Sequence, residues 1–216
     1  MAGGLVYTAV GSEAMATAEY YGKAMCDLGK EHPEIVALTA DLAGSTKIGV
    51  FRKEFPERFF NVGIAEQNMF GIAAGMAKAG LVPFVSTMSA FATMRVADQI
   101  HSDICYQNVN VKIIGSHAGT SFGQAGSPHH AIVDMGCLLT FPNMTYLCPA
   151  DGMETVNAIR AAYETPGPVY IRINRGFDRL LYEDTEYGFE LGKAHTVHEG
   201  TDLTVIACGS VSYTHL

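Results

Sequence analysis

The chain has 216 residues, 48% of them hydrophobic and only 17% charged, with a formal net charge of −8. That length fits one large domain, or one domain and part of another, with a core of its own. An acidic balance without a Lys/Arg cluster argues against a nucleic acid or an anionic membrane as partner, and so little charge points to burial against another protein.

Taken in chain order, short β-rich apolar runs alternate with helical stretches. A helix over 14–30 leads to a strand over Ile35–Thr39 and the loop "ADLAGST", in which Ser45 can cap the following helix or hold an anion through its hydroxyl and backbone N–H groups. After a weaker strand at Phe59–Asn61 comes "NVGIAEQNMFGIAAGMAKAG", a helix over 65–79 that is apolar on nearly every face and therefore expected to be buried. Strands over 81–86, 111–115, 144–148 and 169–173 alternate with helices over 91–106, 131–139 and 152–163. This β-α-β-α order predicts an α/β fold, a parallel sheet with helices on both faces, whose ligands lie where the strands end. Beyond Gly176 the chain turns acidic, aromatic and loop-like, and "TDLTVIACGS" reads as a fresh strand. The expected organisation is one domain over 1–176, a linker over 177–200 and the start of a second α/β domain over 201–216.

Glu66 sits at the mouth of the apolar helix, where a carboxylate is costly without a partner, although a Glu in a first turn also complements the helix dipole. Gly71 and Gly75 would let another backbone approach that helix, which suggests an interface. Phe91 stands at a strand-to-helix junction, able to stack on a planar ligand or to fill the core. His117, His129 and His130 share the Gly-rich loop "SHAGTSFGQAGSPHH", the longest such stretch and a candidate for catalysis. Their spacing with Asp134 does not suit zinc. No Walker loop, GxGxxG after a strand, GxSxG or HExxH occurs. The five cysteines are widely spaced without CxxC pairs, which disfavours a disulfide framework and fits a reducing cytoplasm. No export leader and no apolar run of about 18 residues is legible, so a soluble protein is expected.

The motifs "ALTADLAGST", "FFNVGIAEQNMFGIAAGMAKAG", "FVSTMSAFATMRVADQI", "VNVKIIGSHAG", "GSPHHAIVD", "PNMTYLCPADGMET" and "GPVYIRINRG" stand in the order and spacing of the transketolase family. From Met15 to Gly176 the chain resembles the separately encoded C-terminal, pyrimidine-binding subunits of split transketolases. Ser212 to Leu216 do not resemble the family's continuation. The resemblance implies that Glu66 hydrogen-bonds the aminopyrimidine of thiamine diphosphate and favours its imino form, with the difficult electronics left to the cofactor. It implies that Phe91 stacks on that ring and that Asp41, Leu42 and Ile64 line the cofactor. His117 and His129 then contact substrate hydroxyls or phosphate and move protons, while Ser45 and Arg175 hold the distal phosphate.

The same resemblance assigns the diphosphate and Mg²⁺ to an N-terminal partner subunit, because no GDG-type motif occurs here. It implies sugar phosphate substrates, a heterotetramer and inactivity of this subunit alone. Met88 and Met94 replace frequent pyrimidine contacts, Ala18 a frequent phosphate-binding Arg, and Ala125 a frequent Asp that reads the acceptor's hydroxyls. Specificity among sugar phosphates is thereby left open, branched and sulfonated sugars included. A 1-deoxyxylulose-5-phosphate synthase, a 2-oxoacid dehydrogenase β subunit and a non-catalytic interaction subunit are the alternative expectations.

Overall fold

The computed structural model describes residues 15–176 and 178–210. Six strands form one parallel sheet: β1 (Ile35–Thr39), β2 (Phe59–Asn61), β3 (Val82–Met88), β4 (Lys112–Ser116), β5 (Thr145–Leu147) and β6 (Val169–Arg172), in the spatial order β2-β1-β3-β4-β6-β5. Every residue of β1, β3 and β4 is buried, as central strands covered on both faces must be. The α/β class expected from the alternating pattern is the class observed. Among the described residues no helix is long and apolar enough to cross a membrane.

One face carries α1 (Thr17–Glu31), α2 (Gly49–Glu54) and α5 (Gly152–Glu164), packed through Tyr20, Tyr21, Met25, Phe51, Val156 and Ile159. Asp151 fixes the start of α5. Its Oδ1 accepts the Glu154 N–H at 2.8 Å while Glu154 reaches back to the Ala150 N–H at 2.6 Å, a reciprocal cap. Oδ2 of Asp151 accepts the N–H groups of Leu181 and Tyr182 at 2.7 and 3.0 Å and so ties the later segment to this layer. The other face carries α3 (Glu66–Lys78), a π-helical stretch over Gln99–Cys105 and α4 (Asp134–Leu138), packed through Met69, Phe70, Ala73, Ile100 and Ile104.

The chain steps from β1 outward to β2 and then back across β1 to β3, so α2 and α3 leave on opposite faces. The reversal opens a crevice above the carboxyl ends of β1 and β3, where open α/β sheets bind ligands.

The structure departs from the sequence expectations in several places. The helix expected over 91–106 is broken, because Thr93 turns its hydroxyl back to the Ser89 carbonyl at 2.7 Å and takes a non-helical backbone; a short 3₁₀ turn over Met94–Val96 follows. The helix expected over 131–139 begins only at Asp134, since Ala131 is bridged to Gly119 by two backbone hydrogen bonds. α3 is buried on one face only, and Gly71 and Gly75 lie exposed with nothing within 4 Å of a Cβ built on either. The helix expected to follow the loop of Ser45 is α2, and it begins only at Gly49. The stretch 201–210 pairs with no other strand among the described residues, which leaves Leu203, Val205 and Ile206 exposed. Ala14 and Ser212–Leu216 lie outside the described residues.

Candidate active site

The loops that flank the crevice are tied together before any side chain points into it. Asp41, just past β1, adopts a left-handed φ of 59°. Asn61, the last residue of β2, accepts the N–H groups of Asp41 and Gly63 at 3.0 and 3.1 Å and donates to Asp41 Oδ1 at 3.2 Å. One amide side chain thus clips the loop after β1 to the segment that enters α3. Leu42 is half-buried beside Asp41, its N–H given to Thr39 Oγ1 at 3.3 Å. Ile64 stands at the entrance to α3, 81% exposed.

Glu66, the first residue of α3, is buried. Its Oε1 accepts Arg95 Nη1 at 2.8 Å. The Arg95 guanidinium also lies over the Phe91 ring, 3.8 Å from its centroid. From Phe91 the contacts continue edge-on to His129 at 5.3 Å, from His129 to Phe122 at 5.5 Å, and from Phe122 to His117 at 4.8 Å. The Arg175 guanidinium covers Phe122 at 4.8 Å, and the Arg175 N–H is given to Ser121 Oγ at 3.2 Å. Residues from the ends of β2, β3, β4 and β6 therefore form one unbroken chain of contacts from Glu66 to Arg175.

His117 is the most constrained member. It is buried at a left-handed φ of 57°, which a non-glycine residue keeps only when its surroundings hold it there. Ser116 Oγ donates to the Thr87 carbonyl at 3.2 Å, so it accepts from His117 Nδ1–H at 2.9 Å; this assigns the tautomer and leaves Nε2 with its lone pair. Burial, and then the charges of Arg175 and His129, push its pKa down to about 4, so the ring is neutral at physiological pH. His129 is half-buried, and its Nδ1 has no hydrogen-bond partner among the described residues.

The described residues of this domain resemble known proteins along most of their length. The family described as "Transketolase, pyrimidine binding domain" matches residues 13–177. This chain belongs to that family. It is 44% identical over 190 residues to a protein of Methanocaldococcus jannaschii named as a transketolase C-terminal section, a match covering 88% of this chain and 60% of the relative. It is 39% identical over 189 residues to one of the apulose-4-phosphate transketolase chains of Phocaeicola vulgatus, covering 88% of this chain and 61% of the relative. The solved structure "Split gene transketolase, inactive beta4 tetramer" superposes with a TM-score of 0.83 at 43% identity, covering 93% of this chain and 65% of that one. The chain thus spans about three fifths of the length of these relatives.

As a transketolase pyrimidine-binding domain, the site has a donor set that suits the aminopyrimidine half of thiamine diphosphate. A buried carboxylate oxygen can accept an N–H, an aromatic ring stands near it, and the His129 ring, whose Nδ1 has no partner among the described residues, meets that aromatic ring edge-on. Ser45 is not drawn into this chain of contacts: it is exposed on the turn after β1, and it does not cap α2, whose N-cap is Ile48. Ala18 lies in the first turn of α1, buried in the core, and Ala125 lies in the 3₁₀ turn over Gly123–Ala125. Arg95, Phe122, Ser116 and Asn61 join the site without having been singled out in the sequence. Only Arg95 had a local signal, four residues after Phe91, where a continuous helix would bring the two side chains together.

Proposed function

We propose that this chain is the pyrimidine-binding subunit of a two-component transketolase, which moves a two-carbon ketol unit from a ketose phosphate to an aldose phosphate. The observation that carries this reading is the continuous contact chain from Glu66 through Phe91, His129 and His117 to Arg175, gathered at the mouth of the crevice. Thiamine diphosphate, when bound, supplies the electron sink for the two-carbon fragment. Glu66 holds its aminopyrimidine through a hydrogen bond, Phe91 offers the stacking face, and Asp41, Leu42 and Ile64 line the remaining side. His117 presents a neutral Nε2 to a sugar hydroxyl, a role a depressed pKa favours, and His129 exchanges a proton with a substrate oxygen. Arg175, and Ser45 if its loop closes, meet the phosphate.

The diphosphate and its Mg²⁺ fall to a separate N-terminal subunit in this reading, with two copies of each chain assembling as a heterotetramer. The β4 tetramer of the split-gene relative is described as inactive, which supports a requirement for the partner. Residues 177–200 then act as a linker and 201–216 begin a further domain. The reading also places the work in the cytoplasm.

The test is ketol transfer from xylulose 5-phosphate to ribose 5-phosphate by the full-length chain, its N-terminal partner, Mg²⁺ and thiamine diphosphate. Turnover is expected only with both subunits. Glu66→Ala should lower it by at least about a hundredfold. Turnover by the chain alone, or indifference to Glu66→Ala, overturns the reading. If cofactor binds without turnover, the sugar pair is wrong, and apulose 4-phosphate, named for the Phocaeicola relative, is the next substrate to try.

A further inference from the structure

Arg95 stands where the site should receive its ligand. Its guanidinium makes two contacts at once, a hydrogen bond to Glu66 Oε1 at 2.8 Å and a face contact with Phe91 at 3.8 Å. Those are the two interactions the site offers an aminopyrimidine. The groups are chemically alike: each is a flat, delocalised N–C–N system with N–H donors in its plane and a π-face, able to bond a carboxylate and stack on a phenyl ring together. Both cannot use the same carboxylate oxygen and the same ring face. We propose that the Arg95 guanidinium is an internal surrogate for the aminopyrimidine, held by Glu66 and Phe91 in the cofactor-free protein and displaced when thiamine diphosphate binds.

The energetics favour a displaceable occupant. Glu66 is 4% exposed, and such a carboxylate is expensive to leave alone, so an internal cation keeps it from being an unpaired buried charge. Arg95 itself is 44% exposed and lies on the short turn over Met94–Val96, next to the exposed Met94, so its head reaches water by rotation of its own side chain. Among the described residues Glu66 is the one acidic side chain in an ion pair with it. Arg95 therefore leaves when another donor takes Glu66, and it lowers the apparent cofactor affinity by the fraction of time it is seated. This makes Arg95 a positioning residue, not a catalytic one.

The inference rests on the reading that Glu66 and Phe91 receive the aminopyrimidine, and the experiment separates the two. Thiamine diphosphate affinity is measured by titration calorimetry on the assembled complex of full-length chain and N-terminal partner with Mg²⁺, for wild type, Arg95→Ala, Arg95→Lys, Glu66→Ala and the Glu66→Ala/Arg95→Ala double variant. Arg95→Ala should bind roughly tenfold more tightly, the worth of an ion pair plus a cation–π contact. A damaged fold does not produce tighter binding. Arg95→Lys, which keeps the charge without the planar fork, should fall between. In the Glu66→Ala background the gain from Arg95→Ala should shrink to about twofold or less. If Arg95→Ala binds equally or more weakly while Glu66→Ala weakens binding, the surrogate is overturned and the site reading stands. If Glu66→Ala leaves both affinity and turnover unchanged, both fall together.

Discussion

The two helical layers use glycine in opposite ways. In the layer of α1 and α5, a Cβ on Gly152 would stand 2.3 Å from the Tyr20 ring, one on Gly22 2.7 Å from the Lys47 carbonyl, and one on Gly29 2.7 Å from Phe51 and Phe55. Those glycines are consumed by packing within the chain. In the layer of α3, Gly71 and Gly75 meet nothing within 4 Å. The first layer is a finished core. The second leaves a small-residue stripe uncovered on the same helix that begins with Glu66, so the helix that carries the carboxylate is also the one with packing surface to spare.

The comparison breaks most readily at Gly152. Gly152→Ala should destabilise the chain by roughly 3 kcal/mol, because Tyr20 and α5 must both shift to admit the methyl group; a urea midpoint near that of wild type would show that the first layer is not closed. Next in size is Asp151→Ala, expected to cost about 2 kcal/mol by the same measurement, since it removes the cap of α5 and strands the N–H groups of the half-buried Leu181 and Tyr182.

His117 sharpens the contrast through pH. Its folded pKa of about 4 lies below the ordinary value of 6.5, so between those values the unfolded chain binds more protons and stability rises with pH. The contribution should be complete above about pH 6.5 and lost as the pH falls toward 4. His117→Gln should flatten that part of the stability profile; an unchanged slope would assign it to other groups. The smallest effect belongs to the open layer. Gly71→Ala and Gly75→Ala should each stabilise the isolated chain by up to about 1 kcal/mol through helix propensity, while weakening its association with other subunits. Destabilisation of the isolated chain would mean that the stripe is not open.

The alternation of β-rich runs with helical stretches was legible because a parallel sheet buries whole strands, and all six strands stand within a few residues of where the pattern put them. Positions set by competition for backbone groups were not. Nothing in the apolar spacing of 91–106 signals that Thr93 will bond the Ser89 carbonyl and interrupt the helix. The Glu66–Arg95 pair joins residues 29 apart, and the clip between Asp41 and Asn61 spans 20, so neither leaves a local pattern. The exposed stretch over 203–206 shows the converse: an apolar β-branched run is a strand only where another strand offers it a ladder.

Every pairing in the sheet is parallel, and each must be closed across a long connection: Ile35 meets Val82, Phe84 meets Lys112, and Lys112 meets Val169. Such distant pairings slow folding, because loop-closure entropy is spent before the contacts reward it. The chain from Glu66 to Arg175 draws on four strand ends, so during synthesis it cannot assemble until β6 has emerged. In a refolding experiment, the contact of Arg175 with Phe122 should accordingly be among the last signals to appear, arriving with the closure of the β4–β6 pair and not with the earlier formation of α3.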